Sequence, residues 1–145
     1  MKLPDVNVLI HAVNPQSPSH EIARQWFEDT YNAYASTGVG IAYAWVSILG
    51  LIRLSTRNGI MQEPTTVETC LASIDKLLSH PGASIVHPTD RHLGIVGRLL
   101  MAAGTAGNLT TDAHLAALAI EHNAELVTFD RDFERFAGLH FQLLK

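Results

Sequence analysis

Short apolar runs alternate along this chain with longer stretches in which apolar residues recur every three or four positions. The short runs predict buried strands, and the longer spacing predicts amphipathic helices. The predicted strands are residues 2–6, 39–43, 84–87, 125–129 and 141–144. The predicted helices are residues 7–13, 19–35, 44–57, 66–79, 90–103, 112–122 and 131–137. Because strands alternate with helices, the pattern indicates the α/β class, an α/β/α sandwich around a short, mostly parallel sheet.

Length and composition narrow the class of protein further. The chain has 145 residues without a repeat or linker, so we expect a single domain over residues 1–145. With 47% hydrophobic and 17% charged residues it does not resemble a disordered tail or a coiled coil. A lone cysteine, Cys70, excludes a disulfide framework and fits a reducing compartment. No apolar run approaches the roughly 20 residues that span a bilayer, so we expect a cytoplasmic protein with no membrane partner.

The charge balance leaves one class of nucleic-acid protein open. A net charge of −4 argues against a coat protein that would be basic along a whole face. It does not exclude a nuclease, because a metal site needs carboxylates and a local basic rim can bind phosphate. Seven of the ten basic residues are arginine, whose planar fork suits phosphate oxygens.

Three aspartates fall where ligands bind in such folds, beyond the carboxyl ends of the strands. Asp5 ends the first predicted strand, Asp112 opens the apolar helix of residues 112–122, and Asp130 follows the strand of residues 125–129. Two carboxylates about 4 Å apart repel by roughly 4 kcal/mol at an effective dielectric near 20. A cluster of three therefore needs shared protons or a cation. Oxygen ligands suit Mg²⁺ or Mn²⁺, which can support phosphodiester hydrolysis.

Two other interpretations of these aspartates stay open on spacing alone. An Asp after a strand or in a first helical turn is commonly a helix cap, which applies to Asp112 and Asp130. A phosphotransferase with Asp5 as its nucleophile is disfavoured, because that chemistry needs a second acid two residues on and the chain has Asn7 there.

Three stretches carry a family resemblance that covers essentially the whole chain. They are Asp5-Val6-Asn7-Val8-Leu9, Thr111-Asp112-Ala113-His114-Leu115-Ala116-Ala117-Leu118-Ala119 and Leu126-Val127-Thr128-Phe129-Asp130-Arg131-Asp132-Phe133. In this order they resemble PIN-domain ribonucleases, and most closely the VapC toxins of bacterial VapBC toxin–antitoxin modules.

The resemblance implies an Mg²⁺-dependent endoribonuclease, with Mn²⁺ as a possible substitute, that cleaves structured RNA such as tRNA or rRNA. It also implies a VapB-type antitoxin as partner and a homodimer. The acidic pocket would consist of Asp5, Asp112 and Asp130. Asn7 and Thr128 would orient these carboxylates by hydrogen bonds, and Asp132 could assist.

One position departs from the family pattern. PIN nucleases usually carry a glutamate on the helix after the second strand, and Gly50 stands there in this chain. A glycine inside a helix costs about 1 kcal/mol relative to alanine, which suggests a close approach at this point or a lost acid. The alternative function is therefore a degenerate PIN domain that binds RNA or a protein partner without cleavage.

Helical spacing singles out two arginines. Gly50, Arg53 and Arg57 are spaced i, i+3 and i+7 in the predicted helix, so they share one face. If Gly50 faces the pocket, Arg53 and Arg57 line its rim and bind RNA phosphates. A solvated charged face is the alternative, and we favour it for Arg98 and Arg135.

The histidines and three large aromatic residues are expected to have structural roles. Eight histidines show no zinc-binding spacing. We expect His92 to cap or pack at a helix start and His114 to partner a nearby carboxylate. Trp26, Phe27 and Trp45 have the spacing of core residues.

Overall fold

The computed structural model describes residues 1–59 and 61–145. In that part of the chain the strands are β1 (Lys2–Pro4), β2 (Ile41–Ala44), β3 (Ala83–Val86), β4 (Glu125–Thr128) and β5 (Phe141–Leu143). The α-helices are α1 (Val6–Val13), α2 (His20–Thr37), α3 (Trp45–Ser55), α4 (Val67–Leu78), α5 (His92–Ala103) and α6 (Thr110–Glu121). Short 3-10 helices cover Gly107–Leu109 and Arg131–Arg135.

The five strands form one sheet in the order β3-β2-β1-β4-β5, and each pairing between neighbours is parallel. β1 is the central strand, and it pairs with β4 at Leu3↔Leu126 and Pro4↔Val127. Because all strands run the same way, their carboxyl ends meet at one edge of the sheet. The predicted α/β class and α/β/α sandwich are confirmed.

Two apolar clusters cover the two faces of the sheet. Residues of α5 and α6 pack on one face, and residues of α1, α2, α3 and α4 pack on the other. Helix α6 lies deep in the core, because its residues from Ala113 to Ala119 are almost all fully buried. Its buried alanines leave little side-chain volume, which lets the helix lie close to its neighbours.

Most predicted boundaries differ from the observed ones by one or two residues, and the predicted helix of residues 131–137 is a 3-10 helix over Arg131–Arg135. Three of these differences lie near the predicted site residues. β1 ends at Pro4 instead of residue 6, because the side chain of Asp5 caps α1 by accepting a hydrogen bond from the Val6 amide. α3 ends at Ser55 instead of 57, where Thr56 turns its hydroxyl back to the Ile52 carbonyl. α6 begins at Thr110, because a 3-10 turn leads directly into it.

Two of the three aromatic residues predicted to lie in the core are buried there. Trp26 and Phe27 are buried, as expected, but Trp45 is 47% exposed because it is the first residue of α3. None of the helices in residues 1–59 and 61–145 combines the length and the apolarity that crossing a membrane requires.

Candidate active site

Asp5 is a buried carboxylate at the carboxyl end of the central strand. Only 8% of the residue is exposed, in surroundings that include the fully buried Leu3 and Val8. Its Oδ1 accepts a hydrogen bond of 2.6 Å from the Val6 amide, and its Oδ2 accepts bonds of 2.9 Å each from Asn7 Nδ2 and Thr128 Oγ1. Three donors therefore hold this carboxylate in one orientation.

Asn7 and Thr128 tie the ends of β1 and β4 together around Asp5. Asn7 Nδ2 lies 3.1 Å from Thr128 Oγ1, and Asn7 Oδ1 accepts a bond of 3.2 Å from the Phe129 amide. Thr128 Oγ1 also accepts a bond of 3.0 Å from the Asp130 amide. The two side chains predicted to orient the carboxylates thus contact Asp5 directly and position the backbone that leads to Asp130.

Asp112 lies in the first turn of α6, where the helix dipole favours a negative charge. Burial raises its pKa, and the negative charges of Asp130 and Asp132 raise it further, against a lowering effect of Arg135. Among the described residues, none donates a hydrogen bond to this carboxylate, so it does not act as a helix cap. Of the three aspartates, Asp112 therefore has the most carboxylate lone pairs free to bind a ligand.

Asp130 has the structural role that the cap interpretation predicts. Its Oδ1 accepts a bond of 2.8 Å from the Asp132 amide and caps the 3-10 helix of residues 131–135. Its half-buried charge is also close enough to act on both Asp5 and Asp112. Asp132 is exposed and lies 3.5 Å from Arg135 Nη2, at the outer rim of the acidic group.

The electrostatics of the trio are unfavourable without a counter-ion. Burial raises the pKa of Asp5 to about 6, despite the lowering effect of its bonds to Thr128 and Val6, and the charges of Asp112 and Asp130 add to the rise. Burial is the largest cause of this rise and the neighbouring charges are smaller ones, a combination typical of sites that bind a cation or share a proton.

The three aspartates do not form a ready-made metal cage in this structure, although their oxygen donors suit Mg²⁺. Within residues 1–59 and 61–145, no group of three or more His, Cys, Asp or Glu side chains is placed to hold a metal ion. Mg²⁺ keeps several of its waters and usually takes one or two carboxylates, so it does not need such a cage. The three aspartates match this preference, because they offer only oxygen ligands and the charges of Asp112 and Asp130 help to raise the pKa of Asp5.

Gly50 lies against Val6, the first residue of α1. A Cβ atom at Gly50 would lie 3.0 Å from Val6 Cγ2, so this position has little room for a side chain. The close approach suggested by the sequence is present. Arg53 is exposed one turn further along α3, whereas Arg57 lies two residues beyond its end. The shared helical face predicted for the two arginines therefore holds for Arg53 and not for Arg57.

Two of the histidines, His92 and His114, form a polar cluster with Glu121. His92 Nδ1 lies 2.6 Å from Glu121 Oε2, and His92 Nε2 lies 2.8 Å from His114 Nδ1. His92 does pack at the start of α5, as expected. The prediction that His114 pairs with a carboxylate is wrong. His92 lies between His114 and Glu121 and makes that contact instead.

Sequence reasoning missed one buried polar side chain, Ser47. It is 2% exposed, and its Oγ has no hydrogen-bond partner among the residues that the structure describes. The available signal was a serine in the otherwise apolar run Trp45-Val46-Ser47-Ile48-Leu49, in the first turn of the helix that follows β2.

A parallel α/β sheet with an acidic group at its carboxyl edge is the arrangement of a PIN domain, and the PIN domain family matches residues 2–139. Among curated proteins, the chain is 40% identical over 141 residues to Ribonuclease VapC37 of Mycobacterium tuberculosis, covering 97% of this chain and 95% of that protein. It is 37% identical over 139 residues to Ribonuclease VapC33 of the same species, covering 96% and 94%. The chain belongs to the PIN-domain family, in the group of the VapC ribonucleases.

Solved structures show the same fold at lower sequence identity. VapBC2 from Rickettsia felis, bound to a DNA fragment from its promoter, superposes with a TM-score of 0.72 at 20% identity, covering 99% of this chain and 98% of that one. VapC20 of Mycobacterium tuberculosis, described as a Sarcin-Ricin loop cleaving toxin, has a TM-score of 0.67 at 16% identity, covering 96% of each chain.

Proposed function

We propose that this chain is the toxin of a toxin–antitoxin system, a metal-dependent endoribonuclease that hydrolyses phosphodiester bonds in structured RNA. The observation that carries the proposal is the buried carboxylate of Asp5 at the carboxyl edge of the sheet, which three donors hold in place and whose pKa is raised by burial and, to a smaller extent, by the charges of Asp112 and Asp130. The names of the curated relatives, which are ribonucleases, support the reaction class.

Mg²⁺ is the cofactor we propose, with Mn²⁺ as a substitute, and Asp5, Asp112 and Asp130 are the residues that would hold it. A divalent cation bound there supplies an activated water and neutralises charge on the phosphate. Asn7 and Thr128 keep Asp5 in place, because both donate to the same carboxylate oxygen. The Asp132 amide fixes the rotamer of Asp130 in the same way.

The substrate we propose is a folded RNA such as tRNA or rRNA. One structural neighbour is described as cleaving the Sarcin-Ricin loop, which supports a structured target for this chain as well. Proteins that recognise RNA by sequence usually read unpaired bases of loops and bulges. We propose Arg53, which is exposed on α3, as a phosphate contact, and Arg57 as a weaker one because it lies outside the helix.

The partners we propose are a VapB-type antitoxin and a second copy of this chain. The structural neighbours include VapBC complexes, which supports the antitoxin. Large apolar side chains on α3 and α5 are exposed, which supports a protein-binding surface. They are Trp45, Leu49, Leu93 and Met101. On this proposal the protein acts in the cytoplasm, where structured RNA is available.

The decisive experiment is cleavage of a panel of tRNAs and rRNA stem-loops by purified protein. We expect cleavage with Mg²⁺, restoration by Mn²⁺ after chelation, and no cleavage by Asp5→Asn at an unchanged or higher melting temperature. Cleavage that survives EDTA, or that survives Asp5→Asn, would contradict the proposal.

A second function is favoured by the tight contact between Gly50 and Val6, which leaves α3 without an acidic contribution to the site. On that alternative the chain binds RNA or a protein partner without cutting. Retention of RNA on a filter, with no cleavage at any Mg²⁺ or Mn²⁺ concentration and with the antitoxin absent, would support it.

A further inference from the structure

A pocket of about 360 Å³ lies where the N-terminal parts of α3, α5 and α6 meet. Its apolar walls are the aliphatic side chains of Val46, Leu93 and Val96. Its polar groups include Thr110, Thr111 and His114. Apolar walls with a few convergent polar groups, in a volume of about 300–1,000 Å³, are typical of a site that binds a small organic group.

The pocket adjoins one of the three aspartates directly along the chain. Thr111 lines the pocket and Asp112 is the next residue, so their Cα atoms are about 3.8 Å apart. His114 follows two residues later in the same helix. A ligand that contacts Asp112 therefore has the pocket as its immediate neighbour at the start of α6.

Hydrogen bonds that begin at Glu121 determine which nitrogen of His114 is left for a ligand. The buried Glu121 carboxylate, to which Thr89 donates twice, can only accept, so His92 Nδ1 carries a hydrogen and donates to it at 2.6 Å. In the neutral ring of His92, Nε2 is then an acceptor. It lies 2.8 Å from His114 Nδ1, which must therefore donate.

The second nitrogen of His114, Nε2, is thereby left as a hydrogen-bond acceptor. In a neutral imidazole one nitrogen donates and the other accepts, and Nδ1 is already the donor. The half-buried ring of His114 lines the pocket, and the exposed threonines beside it add hydroxyls that can donate or accept. The pocket therefore suits a group with apolar faces and an N–H donor on its edge.

An unpaired RNA base has this combination of properties. Proteins bind such bases by packing their faces against aromatic or apolar side chains and by hydrogen bonds to their edges. A phosphate fits poorly, because the groups that line the pocket include no lysine or arginine. A second protein surface could cover Leu93, but an apolar one would leave the acceptor of His114 unpaired, which is costly.

We propose that this pocket binds one unpaired base of the RNA, beside Asp112, with His114 Nε2 accepting a hydrogen bond from an N–H of the base. This inference rests on the proposed function, because it takes RNA as the ligand. It adds a source of specificity, since an RNA that offers an unpaired base next to the cleaved bond is bound more tightly than one that does not.

The first test is nitrogen NMR of the histidine rings in the full chain, in EDTA so that no metal contributes. We expect His114 to carry its hydrogen on Nδ1, and its Nε2 resonance to shift on titration with adenosine or cytidine monophosphate. Ribose 5-phosphate, which lacks the base, is the matched ligand and should leave Nε2 unchanged. His122, whose Nε2 donates to the His87 carbonyl outside the pocket, is the internal control and should respond to neither.

The second test compares variants in binding and cleavage of one RNA. We expect His114→Ala to bind a non-cleavable form of it about tenfold more weakly, which corresponds to one lost hydrogen bond. His114→Gln, which keeps an acceptor, and the control His122→Ala should bind within about threefold of wild type. In cleavage, His114→Ala should raise KM about tenfold at an unchanged kcat, because the base contact is made before and during the reaction alike.

The outcomes separate this inference from the proposed function. RNA cleavage by a wild type whose His114 does not respond to nucleotides would overturn the inference alone, and nucleotide binding at His114 in a protein that cleaves no RNA would overturn the proposed catalysis alone. Equal shifts with ribose 5-phosphate would show an anion site and overturn the inference. A lower molecular mass of Leu93→Ala in solution, with His114 unresponsive to nucleotides, would assign the pocket to a contact between two copies and overturn it too.

Discussion

The two ends of α6 carry acidic side chains in opposite situations. At its start, Asp112 lies near Asp130 and Asp132, and their charges raise its pKa. At its end, the side chain of Glu121 is fully buried, but Thr89 donates to it twice and His92 pairs with it. Burial raises the pKa of Glu121, and the bonds from Thr89 and His92 outweigh that effect and lower it. An acid whose charge is compensated inside the protein stabilises the fold, whereas an uncompensated one is available to a ligand.

The largest difference between the two ends should be in catalysis. We expect Asp112→Asn to lower RNA cleavage by roughly 1,000-fold or more, since losing about 4 kcal/mol of transition-state stabilisation has that effect. Glu121→Gln is the control from the same helix and should cleave within a few-fold of wild type. Initial rates on one RNA at saturating Mg²⁺ measure both. Equal loss in the two variants would show that the comparison is mistaken.

The next effect concerns stability without metal. The pKa of Asp5 is raised from 3.8 to about 6, so between these pH values the folded state binds more protons than the unfolded state. As the pH rises through that window, Asp5 alone should therefore lower the free energy of unfolding by about 3 kcal/mol. Urea unfolding in EDTA from pH 4 to pH 8 measures it. Asp5→Asn should remove this contribution. An identical pH profile in wild type and variant would refute it.

Glu121 should behave with the opposite sign. Because its folded pKa is lowered, its contribution is present above its ordinary value of 4.5 and disappears as the pH falls through the folded pKa. Glu121→Gln should cost about 1–2 kcal/mol of unfolding free energy at pH 7, the usual cost of weakening bonds to a buried charge. The difference from wild type should shrink in acid. A variant as stable as wild type at pH 7 would mean that the His92 pair is without consequence.

The smallest effect should come from the arginine at the rim. We expect Arg53→Ala to weaken RNA binding about threefold and to reduce the slope of binding against salt by about one phosphate contact. Arg98, an exposed arginine of α5, is the control and should show neither change. Binding of a non-cleavable RNA at several salt concentrations measures both. An unchanged slope for Arg53→Ala would remove Arg53 from the site.

Much of the fold was predictable because strands and helices differ in the period of their apolar residues. The parallel sheet follows from that alternation of strands and helices. Boundaries were less predictable, since the end of β1 depends on one hydrogen bond between the Asp5 side chain and the Val6 amide. The end of α3 was also predicted two residues too late: the helix ends at Ser55, which leaves Arg57 outside it.

The candidate site was predictable where residue type alone carries the chemistry. Asp5, Asp112 and Asp130 are acids at strand or helix ends, and their positions along the chain suggest convergence. Ser47 was not predictable, because a serine in an apolar helix gains meaning only when its hydroxyl is seen to lack a partner. The pairing of His114 with His92 was equally unpredictable from the sequence, because it depends on how α5 packs against α6.

The most direct test of the central claim is the number of protons released when Mn²⁺ binds at pH 6, obtained by calorimetry in two buffers of different ionisation enthalpy. Metal ligands must be deprotonated, so an Asp5 with a pKa of about 6 should release about half a proton at pH 6 and almost none at pH 8. Asp5→Asn should abolish the release together with the binding. Binding of Mn²⁺ without proton release at pH 6, and with undiminished affinity in Asp5→Asn, would contradict the account.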